Sequence, residues 1–208
     1  MSIQTIITIS RQFGSGGHEI GQLLSKQLDI PFYDKKLIEL ASKTSGIQQA
    51  YFENAEEHPP SSFLYSLSLA ASAANPFLGN SDFTLSEQIF KAQAQAIRDA
   101  AAQGACVIVG RCADYILENT PYCLHVYIHS GLEERVKRIS SRFEADEKTA
   151  KEMIQKVDKK RKSYYQFYVD DRWGNADRYD LCLNSGTLGI ERCVKLIINA
   201  VTNSIKKG

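Results

Sequence analysis

The stretch Arg11-Gln12-Phe13-Gly14-Ser15-Gly16-Gly17-His18 decides the fold that we predict for this chain. The apolar residues Ile6, Ile7 and Ile9 precede it, as in a buried parallel strand, and apolar residues at helical spacing follow it. The order is therefore strand, glycine-rich loop, helix. The glycines alone are also compatible with a plain tight turn, but this order favours a phosphate site. Main-chain amides of such a loop, with the positive end of the next helix, form a concave site for a polyphosphate.

The loop departs from the P-loop pattern G-x-x-x-x-G-K-[ST] at its charged position. Arg11 stands where the first glycine is expected, Gly16 matches the second glycine, and Gly17 takes the place of the lysine. The charge that reaches the terminal phosphates must then come from Arg11, from a protonated His18 or from elsewhere in the chain. Glu19 lies near the position of the hydroxyl that usually holds Mg²⁺. The residues predicted to bind ATP here are Arg11, Gly14, Ser15, Gly16, Gly17, His18 and Glu19.

Length and charge limit the function classes. A chain of 208 residues can bury one sizeable core, so we expect one α/β domain over residues 1–208. Its 25 basic and 24 acidic residues give a formal charge of +1, which excludes a broad basic surface for nucleic acid or an anionic membrane. No targeting segment and no window of about 18 apolar residues is visible, so we expect a cytoplasmic protein with no membrane partner.

The cysteines indicate a reducing environment. Five are present, widely spaced and without a CxxC pair, so we expect reduced thiols within the core and assign no metal ligands. They are Cys106, Cys112, Cys123, Cys182 and Cys193.

Strands and helices are predicted to alternate, which favours a three-layer fold with a parallel sheet and right-handed crossovers. Further strands are predicted at residues 30–34, 105–109, 123–128 and 179–183, with an exit loop at residues 184–187. Helices are predicted at residues 35–43 with Asp34 as cap, at residues 84–103 from a Thr84–Glu87 capping box, and at residues 190–205. Residues 44–82, rich in aromatic side chains, are predicted to form a helical insertion that folds over the site.

Several arginines have the placement that phosphoryl transfer requires, because that reaction needs positioning and cationic donors more than covalent catalysis. Arg111 follows a buried strand, where open α/β sheets bind ligands. For Arg111 and Arg161 we favour phosphate contact over a surface ion pair, and for Arg135 and Arg138 both interpretations stay open. A solvent-facing role is predicted for Lys156, Lys159, Lys160 and Lys162. Packing in the core or in a lid is predicted for Tyr164, Tyr165, Phe167, Tyr168 and Trp173.

Five stretches of the chain carry a family resemblance: ITISRQFGSGGHEIGQLLSKQLDIPFYDKKLI, VIVGRCADYIL, VYIHSGLEERVKRI, DKKRKSYY and YDLCLNSGTLGIE. In this order they resemble the cytidylate kinase-like family, a divergent relative of bacterial cytidylate kinase. The resemblance implies a P-loop nucleoside monophosphate kinase fold with a five-stranded parallel sheet. It also implies an NMP-binding insertion at residues 44–104 and an arginine-bearing lid at residues 140–175.

The resemblance also implies roles for individual residues. The arginine that grips the monophosphate falls on Arg111, and the lid arginines fall on Arg138 and Arg161; these three are the catalytic candidates. The adenine edge is expected near Asn184 and Thr187. The residues expected to bind the acceptor substrate are Asp34, Lys35, Arg111, Asp114, Asp158 and Arg161.

The leading hypothesis is an ATP- and Mg²⁺-dependent kinase that phosphorylates a nucleoside monophosphate, with CMP or dCMP first. Compared with cytidylate kinases, Cys112 and His129 replace aspartates and Lys35 replaces a serine, and these changes fall on substrate recognition. One alternative is a nucleotide-binding regulatory protein that has lost catalysis with its lysine. Another is a small-molecule kinase of the same fold. The expected partners are nucleotide substrates and not nucleic acid, and both a monomer and a homodimer are compatible with the sequence.

Overall fold

The computed structural model describes residues 5–52 and 85–203. The strands are β1 (Ile6–Arg11), β2 (Phe32–Tyr33), β3 (Val107–Val109), β4 (Cys123–His129) and β5 (Leu181–Asn184). The helices are α1 (Gly17–Leu28), α2 (Lys35–Ser45), α3 (Leu85–Ala102), α4 (Ala113–Ile116), α5 (Leu132–Phe143), α6 (Glu147–Val169), α7 (Ser185–Leu188) and α8 (Ile190–Asn203), with a 3₁₀ turn at Ala176–Arg178.

The five strands form one parallel sheet in the order β2-β3-β1-β4-β5. The central strand β1 pairs with β3 through Ile9 and Val109, and with β4 through Arg11 and Ile128. Because the strands are parallel, the ends of β1, β3 and β4 meet at one edge of the sheet, which is where such sheets bind ligands. The glycine-rich loop leaves from the end of the central strand, so it lies in the middle of that edge.

Apolar side chains cover both faces of the sheet. On one face, Ile108 packs with Leu37 of α2 and Ile97 of α3. On the other face, the cluster includes Ile9 of β1, Ile20 of α1 and further buried residues of α8, namely Val194 and Ile197. Helices therefore enclose the sheet on both sides, and the predicted three-layer α/β fold with a five-stranded parallel sheet is confirmed.

The clearest difference between prediction and structure concerns residues 179–187. The sequence predicted a strand at residues 179–183 and an exit loop at residues 184–187, whereas β5 is Leu181–Asn184 and the next residues form α7. The prediction of an exit loop is wrong, because Asn184 caps a short helix instead. Its Oδ1 accepts hydrogen bonds from the amides of Gly186 and Thr187, at 3.1 and 3.3 Å. The strand predicted at residues 105–109 is shorter, Val107–Val109.

Two other predictions concern the insertion and the cap of α2. Most of the insertion predicted at residues 44–82 lies outside the described residues, as does Thr84 of the predicted capping box. Asp34 does precede α2, but its side chain makes no capping hydrogen bond. Its carboxylate instead pairs with His18 of α1, at 3.1 Å from Nε2.

The structure has no disulfide bond among the five cysteines; Cys106, Cys112 and Cys193 are buried, as the predicted core placement requires, whereas Cys123 is half-buried and Cys182 is exposed. Burial raises the pKa of Cys106 and Cys123 to about 12, so both stay protonated at neutral pH. Within residues 5–52 and 85–203, no helix is long and apolar enough to cross a membrane.

The stability of the fold is expected to depend on pH through His125 in β4. Burial lowers the pKa of this side chain, whose Nδ1 lies 2.8 Å from Thr8 Oγ1. The unfolded chain takes up a proton here near the ordinary pKa of about 6.5, whereas the folded chain does so only at lower pH. The free energy of unfolding should therefore fall as the pH drops through this range.

Urea unfolding of the wild type and of His125→Gln, each between about pH 7.5 and about pH 5.5, tests this expectation. The fall in stability should be smaller in the variant. Equal pH slopes for the two proteins would exclude His125 as the titrating group.

Candidate active site

The glycine-rich loop is a tight turn between β1 and α1. Gly14 and Gly16 adopt left-handed backbone angles, with φ of 80° and 79°, which glycine adopts without strain. Ser15 between them is buried, and its hydroxyl donates to the Gln12 carbonyl oxygen at 2.9 Å. Gly16 is also the N-cap residue of α1 and has no side chain to compete for the first amides of the helix. The loop is thus shaped to present main-chain amides to an anion.

Helices α5 and α6 hold the loop from outside. Asp158 of α6 accepts a hydrogen bond from the Phe13 amide at 2.8 Å and pairs through its other oxygen with Arg135 of α5. Arg161, one turn further along α6, donates to the Arg11 carbonyl oxygen at 2.9 Å. The main chain on the β1 side of the loop is therefore fixed by charged side chains.

A further contact to the loop comes from the C-terminal part of the chain. The buried Ser185 of α7 places its Oγ 2.6 Å from the Ser15 carbonyl oxygen and 3.1 Å from the carbonyl oxygen of His129. Ser185 was not among the predicted site residues, and a serine in a loop carries no sequence signal for this contact. It couples α7 to the loop.

Two cavities open at this edge of the sheet. The first, the glycine-loop cavity, has a volume of about 730 Å³ and lies between the loop, α5 and the start of α2. The second, the aromatic cavity, has a volume of about 470 Å³ and lies between the ends of β1 and β3 and one face of α6. Only Arg11 and Arg161 of the described residues line both cavities, so the two cavities adjoin at these two arginines.

Arg111 stands at the wall of the aromatic cavity. The side chain is only 7% exposed, and the main chain of Gly110, Arg111 and Cys112 is left-handed throughout, with φ of 80°, 58° and 53°. A non-glycine residue in this conformation costs about 1 kcal/mol or more. The turn after β3 therefore maintains a strained backbone that directs Arg111 to this position, a pattern that is common at ligand sites.

The cationic and aromatic lining of this cavity comes largely from one face of α6. Lys156, Lys160 and Tyr164 recur at intervals of four residues, and Arg161 and Tyr165 lie beside them. Lys156 is exposed and Lys160 is half-buried, so the predicted solvent-facing side of α6 also borders this cavity. The four-residue spacing is the sequence signal that places the two lysines on the same side as Tyr164. Trp173, which follows α6, completes this wall.

These observations describe a loop and strand edge of the kind that P-loop kinases share, and the comparisons with known proteins agree. The sequence model of the family described as "Cytidylate kinase-like family" matches residues 6–187. The chain belongs to the cytidylate kinase-like family. No match was found among curated proteins.

Solved structures support the same fold. An uncharacterized protein from Eubacterium ventriosum ATCC 27560 is 29% identical, with 96% of this chain and 99% of that chain covered and a TM-score of 0.70. A gluconokinase from Sinorhizobium meliloti 1021 is 13% identical, with 98% and 94% covered and a TM-score of 0.52. A shikimate kinase from Acinetobacter baumannii in complex with shikimate is 12% identical, with 100% and 97% covered and a TM-score of 0.51. This member of the cytidylate kinase-like family thus has the P-loop NTPase fold.

Most residues predicted to bind phosphate lie at the glycine-loop cavity. Those that line it are Arg11, Gly14, Gly16, Gly17, His18 and Glu19, with Ser15 buried in the turn. Arg138 of α5 joins them: its Nη1 lies 3.6 Å from Glu19 Oε2, and a Cβ atom on Gly16 would collide with its guanidinium. Of the two arginines left open by the sequence, Arg138 faces the cavity, and Arg135 lies in the ion pair with Asp158.

The predicted acceptor-binding residues divide into separate places. Asp34 and Lys35 line the glycine-loop cavity and not the aromatic cavity, whereas Arg111 and Arg161 line the aromatic cavity. Asp158 lines neither, since its carboxylate holds Phe13 and Arg135.

Asp114 lies buried beside the aromatic cavity without lining it. One carboxylate oxygen accepts from Ser10 Oγ at 3.2 Å and the other from the Tyr165 hydroxyl at 2.7 Å. Burial and the neighbouring Asp114 carboxylate raise the pKa of Tyr165, so this phenol remains a donor at neutral pH. Asp114 therefore joins the end of β1 to α6.

Asn184 and Thr187, expected near the adenine edge, lie at the start of α7 and line neither cavity. The Asn184 side chain caps this helix, and Thr187 is exposed. Their contact with the site runs through the neighbouring Ser185.

Two carboxylates line the glycine-loop cavity, and two are enough for the protein's share of a Mg²⁺ site. Among the described residues, no group of three or more His, Cys, Asp or Glu side chains could hold a metal alone. Glu19 and Asp34 nevertheless line this cavity. Protein-bound Mg²⁺ usually takes one or two carboxylates and completes its shell with substrate phosphates and water.

Proposed function

We propose that the chain is an ATP- and Mg²⁺-dependent phosphotransferase that phosphorylates a nucleoside monophosphate, with CMP and dCMP as the first acceptors to test. One observation carries the proposal: the glycine-loop cavity and the aromatic cavity meet at Arg11 and Arg161. A donor in the first cavity and an acceptor in the second would bring the transferred group to this meeting point. The membership of the cytidylate kinase-like family and its P-loop fold support the reaction class.

In this proposal, the glycine-rich loop binds the phosphate tail of ATP through its main-chain amides. Arg138, which lies on Gly16, adds positive charge on the donor side. Glu19 and Asp34 are the residues that would hold Mg²⁺, and the ion would neutralise negative charge on the donor phosphates.

On the acceptor side, Arg111 binds the monophosphate bidentately, because a guanidinium offers two parallel donors to phosphate oxygens. The rings of Tyr164, Tyr165 and Trp173 supply flat apolar surface for a base. An acceptor phosphate oxygen then forms a bond to the γ-phosphorus as the bond to the β,γ-bridging oxygen breaks, and ADP leaves with the electron pair. Arg11 and Arg161 stabilise the charge on the transferred group.

Two segments take roles in this scheme that follow from the family resemblance. The acceptor-binding insertion implied for residues 44–104 lies largely outside the described residues, and its described helix α3 packs on the sheet. Residues 140–175, which include most of α6, form the lid and exclude water from the transfer.

A second candidate is a kinase of the same fold that acts on a small anionic molecule. The charge of the aromatic cavity favours it: its lining includes five basic side chains and, among the described residues, no carboxylate. The basic residues are Arg11, Arg111, Lys156, Lys160 and Arg161. An acceptor with two anionic groups would match this charge better than a monophosphate with a neutral base.

An acceptor screen tests the proposal. The purified chain is incubated with ATP and Mg²⁺, alone and with CMP, dCMP, UMP, AMP, GMP, shikimate or gluconate, and both ADP and the phosphorylated product are measured. We expect ADP to form only when CMP or dCMP is present. The amount of ADP should equal the amount of CDP or dCDP formed. The variant Arg111→Met, purified in the same way, controls for contaminating kinases.

The other outcomes have definite meanings. Turnover with a non-nucleotide acceptor alone would replace the first candidate by the second. ATP binding without turnover on any acceptor would contradict both and favour the regulatory alternative.

A further inference from the structure

The glycine-rich loop lacks the lysine of the P-loop pattern, but it has an arginine at the position of the first glycine. The charged residue and the glycine have thus exchanged positions. In the pattern G-x-x-x-x-G-K the first residue is glycine and the last is lysine, whereas here the first is Arg11 and the last is Gly17. The two positions touch in the structure. A Cβ atom on Gly17 would lie 2.5 Å from Arg11 Cβ, which is too short for carbon atoms that are not bonded, and 3.0 Å from Arg11 Cγ. A side chain at one position therefore requires glycine at the other.

The Arg11 side chain leads away from Gly17 towards the end of β3. Its guanidinium lies against the main chain of Gly110, where an added Cβ atom would collide with Nη1 and lie 2.9 Å from Cζ. Gly110 directly precedes Arg111, and Arg11 lines the glycine-loop cavity as well as the aromatic cavity. The guanidinium thus stands between donor and acceptor sides and close to the residue that we assign to the acceptor phosphate.

We infer that Arg11 replaces the loop lysine by this exchange with Gly17 and binds the terminal phosphate of ATP where the two cavities meet. The inference rests on the proposed function for the identity of its ligand. Lysine offers a point charge to a phosphate, whereas the arginine fork can bind two oxygens at once. The exchange moves the cation from the first residue of α1 to the last residue of β1. The left-handed glycines Gly14 and Gly16 of the turn are retained.

The two other cations at the loop fit this role less well. Arg138 has Glu19 Oε2 at 3.6 Å and His18 has Asp34 Oδ2 at 3.1 Å, so both side chains face carboxylates within the glycine-loop cavity. Both line the glycine-loop cavity alone. Arg161 does line both cavities, but it also binds the Arg11 carbonyl oxygen and so helps to fix the residue in question.

A reversal of the exchange tests the inference. The proteins compared are the wild type, Arg11→Met, Gly17→Lys and the double variant Arg11→Gly/Gly17→Lys. The control Lys137→Met removes one charge from α5, where Lys137 is 71% exposed and pairs with Glu134. For each protein, calorimetry gives the Kd of ATP with Mg²⁺, and urea unfolding gives the stability.

We expect Arg11→Met to raise the Kd of ATP about 30-fold, as for loss of a charged hydrogen bond, and Lys137→Met to change it less than about 2-fold. Gly17→Lys alone should be strongly destabilised, because its side chain meets Arg11. The double variant should fold stably and bind ATP within about 3-fold of the wild type, because its loop again has the usual glycine and lysine.

Two results would overturn the inference: unchanged ATP binding in Arg11→Met, or a double variant that binds ATP no better than Arg11→Met. Absence of ATP binding by the wild type would overturn the proposed function together with it. If ATP binding follows the expected order but no acceptor is phosphorylated, the exchange holds and the proposed function fails, since the binding measurement does not depend on turnover.

Discussion

Replacement of Asp158 by alanine is expected to lower the free energy of unfolding by about 3 kcal/mol and to weaken ATP binding at the same time. This carboxylate accepts a hydrogen bond from the Phe13 amide at 2.8 Å and pairs with Arg135, and the side chains of the pair are only 19% and 11% exposed. Its loss leaves the Phe13 amide without its acceptor and removes the counter-charge of the largely buried Arg135 guanidinium, which keeps only a long contact of 3.4 Å to the Phe13 carbonyl oxygen among the described partners. Both groups border the glycine-rich loop, so the loop should lose its defined shape.

Urea unfolding and ATP titration measure the two effects, with Asp158→Asn and Glu134→Ala as matched variants. Asparagine can still accept from the Phe13 amide but carries no charge for Arg135, so its effect should be intermediate. Glu134→Ala breaks the exposed pair with Lys137 and should cost less than about 1 kcal/mol. If Asp158→Ala unfolds at the same urea concentration as Glu134→Ala, then α5 and α6 do not hold the loop.

The fold was predictable because its signals are local. The apolar run of β1, the glycines and the helical spacing in α1 lie within residues 6–28, and they define the central strand and the loop after it. The alternation of strands and helices then determines a parallel sheet. The short helix after β5 was not predicted, because it depends on one capping asparagine, Asn184. The residue types at positions 184–187 are equally typical of a loop.

The site was predictable at the loop and less so around it. The sequence placed Arg111 at the edge of the sheet because strand ends are recognisable, but its left-handed backbone carries no sequence signal. Asp158 meets Phe13 across 145 positions of the chain, and Ser185 meets Ser15 across 170. Such contacts follow from how helices pack on a sheet, so the residue types alone cannot distinguish a loop clamp from a surface ion pair. For the same reason, the sequence analysis assigned Asp158 to the acceptor and not to the contact with Phe13.

Replacement of Arg111 by methionine is expected to lower kcat/KM for the phosphorylated acceptor by about 10²- to 10³-fold, with the Kd of ATP changed less than about 2-fold. The guanidinium lines the aromatic cavity and not the glycine-loop cavity, so its charge should act on the acceptor side alone. Methionine keeps an unbranched stem of similar length in the buried turn, where the side chain is 7% exposed. The charge is then the main property that changes.

The measurement combines steady-state kinetics with the acceptor found in the screen, ATP titration and urea unfolding. Arg192→Met, which removes an exposed charge from α8, serves as the control and should leave all three unchanged. A fall in kcat/KM that is matched by equal weakening of ATP binding would place Arg111 on the donor side. Unchanged kinetics would remove Arg111 from the site, and the acceptor phosphate would then have to be bound by Lys156, Lys160 or Arg161, the basic residues of α6 that line the same cavity.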